Sequence, residues 1–209
     1  NAYNLLAVWS ACRLLGFDKK KVGEALETVE PPRGRFDYFV TPNKIMVIID
    51  YAHTPDALEK VLKTANDIIP TKVETPTGVG EPQGATLISV FGCGGDRDPL
   101  KREKMGRIGA ELSDIAIFTS DNPRNEDPEK IIGQMKEDLT PELGKKVITI
   151  PNRREAIRES VKIARPNDII LCAGKGHEDY QEIKGVKHHF NDLEEYKKEL
   201  RQSNILEHA

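Results

Sequence analysis

The chain has 209 residues, of which 31% are charged, and a net charge of -3. That length is enough for one domain with a full core and part of a second. The near balance of charge excludes a surface built for nucleic acid or for anionic lipid, so neither a nucleic-acid nor a membrane partner is expected. The three cysteines, Cys12, Cys93 and Cys172, form no CxxC pair and are odd in number. This speaks against a disulfide framework and a structural zinc site, and it fits a reducing, cytoplasmic setting.

No apolar run approaches the roughly 20 residues of a membrane span, and the N-terminus lacks the basic-then-apolar pattern of a secretory signal. The chain opens on Asn1 rather than methionine, directly in a helical pattern, so a piece of a longer protein is expected. Over residues 3–15 the apolar positions Leu5, Leu6, Val8, Trp9, Cys12, Leu14 and Leu15 recur at helical spacing and Gly16 is placed to end the helix. Asp18 caps a second helix with Val22, Ala25 and Leu26 as its buried stripe, and Pro31-Pro32 stops it. Two helices and then Pro-Pro-Arg-Gly-Arg imply the end of one domain, residues 1–33, and a second domain over 34–209.

Residues 35–40 and 44–50 are expected as strands around a turn at 41–43, the second continuously apolar as a buried strand should be. Thr54 then caps a helix with Pro55 at its first position. Residues 71–84 are rich in Gly, Pro and Thr without periodicity, which predicts a surface loop. Strand and helix alternate thereafter: strands at 86–91, 115–119, 147–150 and 168–172, with helices from about 99, over 128–135 and over 152–164. A hairpin around Lys184-Gly185 and a final helix capped by Asn191 close the chain. The fold class is therefore α/β, a mostly parallel sheet with helices on both faces.

In that topology the loops after four strands gather at one edge of the sheet, where open α/β sheets bind ligands. Asp121-Asn122-Pro123-Arg124 occupies one strand-to-helix turn. Gly92-Cys93-Gly94-Gly95 is neither GxGxxG nor GxxxxGK[ST] and serves equally as an anion-binding turn or as a turn needing glycine geometry. Arg97 beyond it pairs either with an anion or with Asp96 or Asp98. His53 follows a buried strand and, taken alone, is best read as capping its own turn. Gly174-Lys175-Gly176-His177-Glu178 assembles a cation, an imidazole and a carboxylate within one turn, more than a structural turn needs. His188-His189 has no partner at metal-ligand spacing, and no metal site is expected. Cys93 and Cys172 at strand ends are expected as core residues.

Gly34-Arg35-Phe36, the run Asp50-Tyr51-Ala52-His53-Thr54-Pro55-Asp56-Ala57, Gly92 to Asp98, Asp121 to Arg124 and Ala173 to Glu178 occur in the order seen in Mur ligases. The resemblance covers nearly the whole chain, and only residues 71–84 depart from it as an apparent insertion. It is narrowest to the members that add the third residue of the peptidoglycan peptide. It implies a Rossmann-like C-terminal domain behind the last helices of an ATP-binding central domain. Within it, Asp-Asn-Pro-Arg marks enzymes that add meso-diaminopimelate rather than lysine, because Arg124 offers a planar fork to the distal carboxylate that lysine lacks. The resemblance places Arg97, Asp121, Asn122, Pro123, Arg124, Gly174 and Glu178 around that amino acid, with Glu178 holding an ammonium group, and Arg35, Asp50, Tyr51 and His53 against the nucleotide. It further implies ATP, Mg2+ held mainly by upstream residues, UDP-MurNAc-L-Ala-D-Glu as co-substrate and a monomer. No catalytic residue is assigned, no phosphate-binding loop is present in these residues, and ligation by the chain alone is not expected. A receptor module that kept the pocket, or a folylpolyglutamate-synthetase-like ligase with another acceptor, are the alternatives.

Overall fold

The computed structural model describes residues 2–29, 32–69, 84–203 and 205; the loop expected over residues 71–84 lies outside them but for Gly84. The chain divides into two compact units, Asn1–Pro32 and Arg33–Ala209, against an expected boundary after residue 33. The first unit is a helix pair, α1 (Ala2–Leu14) and α2 (Lys19–Glu27). Asp18 caps α2 by accepting from the amides of Lys20 and Lys21. Of the stripe expected to be buried on α2, only Val22 is; Leu26 is half-buried and Ala25 exposed. Two short helices offer each other too little surface to bury more.

The second unit runs β1 (Asp37–Val40), β2 (Met46–Asp50), α3 (Pro55–Ile68), β3 (Leu87–Phe91), α4 (Leu100–Leu112), β4 (Ile115–Phe118), α5 (Pro128–Lys136), α6 (Pro141–Gly144), β5 (Val147–Thr149), α7 (Arg153–Ile163), β6 (Ile169–Ala173), β7 (Tyr180–Ile183), β8 (Val186–His189) and α8 (Asp192–Gln202). Six strands form one sheet in the order β1-β2-β6-β3-β4-β5, and β7-β8 form a separate hairpin. Only β1 runs antiparallel within the large sheet. It starts two residues later than expected because Phe36 takes φ +53 and gives its amide to the Asp50 carboxylate at 2.7 Å.

Alternate residues along the central strands serve two cores, as a strand's twofold period requires. Ile48, Leu87, Phe91, Phe118, Ile169 and Leu171 face Leu58 and Leu62 of α3, Met105 of α4 and Ile132 of α5. Val47, Ile49, Ile88, Val90, Ile117 and Ile170 face Ala156, Ile157 and Val161 of α7 with Tyr196 and Leu200 of α8. Both faces of the sheet are thus covered. Since all five parallel strands point the same way, the loops after β2, β3, β4 and β6 emerge at one edge.

Candidate functional site

The loops after β3 and β4 are fastened to each other. The Gly95 amide donates to the Asn122 carbonyl at 2.9 Å, and Arg124 Nη1 donates back to the Gly95 carbonyl at 2.8 Å. Asn125 Nδ2 donates to Asp96 Oδ2 at 2.7 Å. A Cβ on Gly92 would lie 2.0 Å from the Thr119 carbonyl oxygen, and one on Gly95 would lie 2.0 Å from that of Pro123. Of the two roles open to these glycines, the one visible here is close packing of loop on loop.

Arg102 in α4 clamps the same pair of loops from below. Its guanidinium donates to both oxygens of Glu126 at 2.8 Å, to Gln134 Oε1 at 2.6 Å and to the Gly94 carbonyl at 3.1 Å. The guanidinium holds the Glu126 carboxyl well below the usual carboxylate range, at about 2.

The loop after β6 joins through Lys175. Its ammonium donates to Asn122 Oδ1 at 3.1 Å, to Glu178 Oε2 at 3.3 Å and to the Tyr180 carbonyl at 2.6 Å. Asn122 Nδ2 in turn donates to Glu178 Oε2 at 3.0 Å. Asp121 Oδ1 sits 3.6 Å from Lys175 Nζ and is a buried oxygen without a hydrogen-bond partner among the described residues. Beneath these loops Arg153, fully buried, donates to the carbonyls of Ser120 at 3.3 Å and Ala173 at 3.0 Å. It thereby ties together the ends of β4 and β6.

Asp121, Asn122, Gly174 and Glu178 therefore come together, Asn122 on Glu178 and Gly174 beside the Asp121 carboxylate. Arg124 meets them as well, but its fork is not free. Nε pairs with Glu182 at 3.3 Å, Nη1 is committed to the Gly95 carbonyl, and the residue itself sits at φ +50. Its backbone is bound by the hairpin, the Arg124 amide donating to the Glu182 carbonyl and the Lys184 amide to the Arg124 carbonyl. Nη2 makes no hydrogen bond among the described residues. Arg97 is exposed in the loop after β3, and none of the ion pairs weighed for it with Asp96 or Asp98 forms among the described residues.

The second group of residues gathers after β2. His53 Nδ1 lies 2.8 Å from the Tyr51 carbonyl, the local turn contact expected of it alone. The Tyr51 ring meets His53 edge-on at 4.6 Å and His177 at 5.1 Å. Burial pushes the Tyr51 phenol up, and the charges of Glu178 and Asp121 add to the shift, so this aromatic cluster adjoins the carboxylates of the other loops. Asp50 is occupied structurally, accepting from the amides of Phe36 and Ala52; burial raises its carboxyl above the usual range against those bonds. Arg35 is exposed nearby. A half-buried tyrosine, two exposed imidazoles and a cation suit the base and phosphates of a nucleotide. A divalent metal finds less, for no group of three His, Cys, Asp or Glu is placed to hold one among the described residues.

A cleft of about 740 Å3 opens between the 123–128 turn, the start of α7 and the β7-β8 hairpin, and it includes Arg124 but not Arg97, Asn122, Gly174 or Glu178. Its charged lining is largely spent, Arg154 on Glu195 and His189 on Glu194. The converging loops, with an orphaned buried carboxylate oxygen, are the better candidate. Cys93 and Cys172 are buried, and burial pushes the Cys93 thiol up to about 12, which leaves it unreactive. Sequence reasoning noticed Lys175 without giving it a place in the pocket, and it missed Arg102, Arg153 and Glu182. The flanking glycines marked Lys175; a buried arginine leaves no comparable sign.

Residues 34–176 match the family described as Mur ligase, glutamate ligase domain. A protein of Cytophaga hutchinsonii named UDP-N-acetylmuramoyl-L-alanyl-D-glutamate--2,6-diaminopimelate ligase is 47% identical over 92% of this chain and 37% of its own length. The Bacteroides thetaiotaomicron protein of the same name is 49% identical over 93% of this chain and 38% of its own. The chain thus spans well under half the length of the curated relatives it matches. A solved structure titled as the same ligase superposes with a TM-score of 0.72 at 37% identity, covering 98% of this chain and 39% of that one. The MurF ligase of Thermotoga maritima, solved in complex with ADP, shares the fold at a TM-score of 0.59 and 15% identity. With its five motifs on converging loops and these relatives across nearly its whole length, the chain belongs to the Mur ligase family, whose C-terminal domain it carries.

Proposed function

We propose that this chain supplies the amino-acid-selecting domain of an ATP-dependent ligase that joins meso-diaminopimelate to UDP-MurNAc-L-Ala-D-Glu in peptidoglycan synthesis, in the cytoplasm. The observation that carries the reading is the meeting of Asp121, Asn122 and Glu178, from two loops, at the edge where β4 and β6 end, with Arg124 beside them on the Asn122 carbonyl at 3.5 Å. Such a set offers carboxylate oxygens to an ammonium group and guanidinium nitrogens to a carboxylate, the two ends of a zwitterionic diamino diacid.

ATP, when bound, supplies the phosphoryl group that turns a carboxylate into an acyl phosphate open to attack by an amine. This chain's share is binding and orientation. Glu178 and the orphaned Asp121 Oδ1 face the ammonium end. Arg124 Nη2 and Arg97 receive the distal carboxylate, and Glu182 gives up Arg124 Nε if that contact becomes bidentate. Tyr51, His53 and His177 line the nucleotide's base, with Arg35 available to its phosphates. Two solved structures that share the fold, at 18% and 15% identity, name ADP in their titles. Residues 1–33 are assigned to the end of the ATP-binding domain and 34–209 to the domain that selects the amino acid.

Calorimetry of the full-length ligase carrying this chain, with meso-diaminopimelate against lysine, tests the reading. Lysine strands the arginine without its anion, a cost of roughly 2–5 kcal/mol, or roughly tens to thousands of fold in affinity. Equal affinities would remove the proposed specificity. A preference that survives Arg124→Ala would remove the residue assignment.

A further inference from the structure

Lys175 has a side chain with no solvent exposure at all, an expensive place for an ammonium group unless every donor is used. Every donor is used. Lysine has three N–H bonds, and they go to Asn122 Oδ1, Glu178 Oε2 and the Tyr180 carbonyl. The glycines beside it take φ +115 and +53, conformations that turn the chain so that the lysine stem runs inward.

The acceptors are also informative. Asn122 Oδ1 takes the Lys175 ammonium and the Glu182 amide, the latter at 2.9 Å. With its oxygen so committed, the Asn122 carboxamide can only present Nδ2 to Glu178 Oε2, as it does at 3.0 Å. Glu178 is therefore held by one oxygen, Oε2, from two directions. The ammonium also balances one of the two carboxylates, Asp121 and Glu178, and leaves the pair with one negative charge for an incoming cation.

Building on the amino-acid pocket proposed above, we propose that Lys175 is its positioning residue. It locks the loops after β4 and β6 into one orientation and sets the charge that the substrate's ammonium group meets.

The test is steady-state kinetics of the full-length ligase with Lys175→Met and Lys175→Arg, varying meso-diaminopimelate, ATP and UDP-MurNAc-L-Ala-D-Glu in turn. Melting temperature is followed alongside. For Lys175→Met the KM for the amino acid is expected to rise at least about tenfold, the equivalent of ~1.4 kcal/mol, while the KM for ATP stays within about twofold. Lys175→Arg, which keeps the charge and loses the three-way geometry, is expected to fall between wild type and Lys175→Met. A folded Lys175→Met enzyme with an unchanged amino-acid KM, or one whose three KM values rise together, would overturn the proposal. If Lys175→Met does not fold, Lys175→Arg decides alone: an amino-acid KM raised about threefold or more with ATP unaffected supports the role, and wild-type kinetics overturn it. A wild-type enzyme that fails to distinguish meso-diaminopimelate from lysine removes the underlying reading of the pocket, an outcome separate from those on Lys175.

Discussion

Two buried arginines do work that charge patterns assign to the surface. Arg153 is fully enclosed with Asp192, donating through Nε and Nη2 at 2.8 Å each, so removing one partner leaves an uncompensated ion in the core. Asp192→Ala is expected to cost about 3–5 kcal/mol in chemical denaturation. Glu195→Ala, which frees the half-exposed Arg154 of the next position, should cost only ~0–1 kcal/mol. Arg102 and Glu126 make a pair with a pH signature. The Glu126 carboxyl is held at about 2 against an ordinary 4.5, so its contribution is complete above pH 4.5 and is lost as pH falls from there toward 2. The denaturation midpoint of Glu126→Gln should be lower than wild type at pH 7 and should approach it near pH 2.5; a gap that stays constant would contradict the assignment. Neither arginine was legible in the sequence. Arg153 follows a good capping residue and Arg102 sits in a charged helix, and nothing local distinguishes either from a solvated neighbour.

At the scale of elements the sequence was far more open. Continuous apolar runs located β2, β3 and β6, and the expected caps Thr54 and Asn191 accept the backbone hydrogen bonds a helix start leaves unmet, as do Asp127 and Asn152, which sequence reasoning did not name as caps. The one-turn helix α6 escaped notice although Thr140-Pro141 announces it in the same way, because four residues carry no periodicity. What the pattern could not say is which loops lean on each other, since that depends on contacts between distant segments. The glycines make this testable. Gly95→Ala would drive a Cβ to 2.0 Å from the Pro123 carbonyl oxygen and should cost on the order of 1–3 kcal/mol. Gly133→Ala, on an exposed position of α5 with nothing within 4 Å, should raise stability by about 0.4–1 kcal/mol. Thermal melts of the two variants with opposite signs would separate loop packing from a general intolerance of alanine.

For the whole molecule, fold class and family were readable because the motifs fall at strand ends in a fixed order, while the order of the strands across the sheet was not. That order makes β6 unusual. It lies between β2 and β3, pairing with both in parallel, and among the described residues no other strand pairing joins the β1-β2 hairpin to the β3-β4-β5 half. A chain ending at residue 163 would keep both halves and lack the strand between them, together with Asp192 and the α8 wall of the second core. Such a truncation is expected to lose cooperative unfolding in calorimetry, even though it retains most of the residues. During synthesis the centre of the sheet is thus the last of its strands to leave the ribosome. The early strands must wait with open hydrogen-bonding edges until β6 arrives, which gives the domain a high contact order and slow, late-committing folding. The same arrival brings Lys175 and Glu178 with it, so the proposed amino-acid pocket comes into being only when the sheet itself is finished.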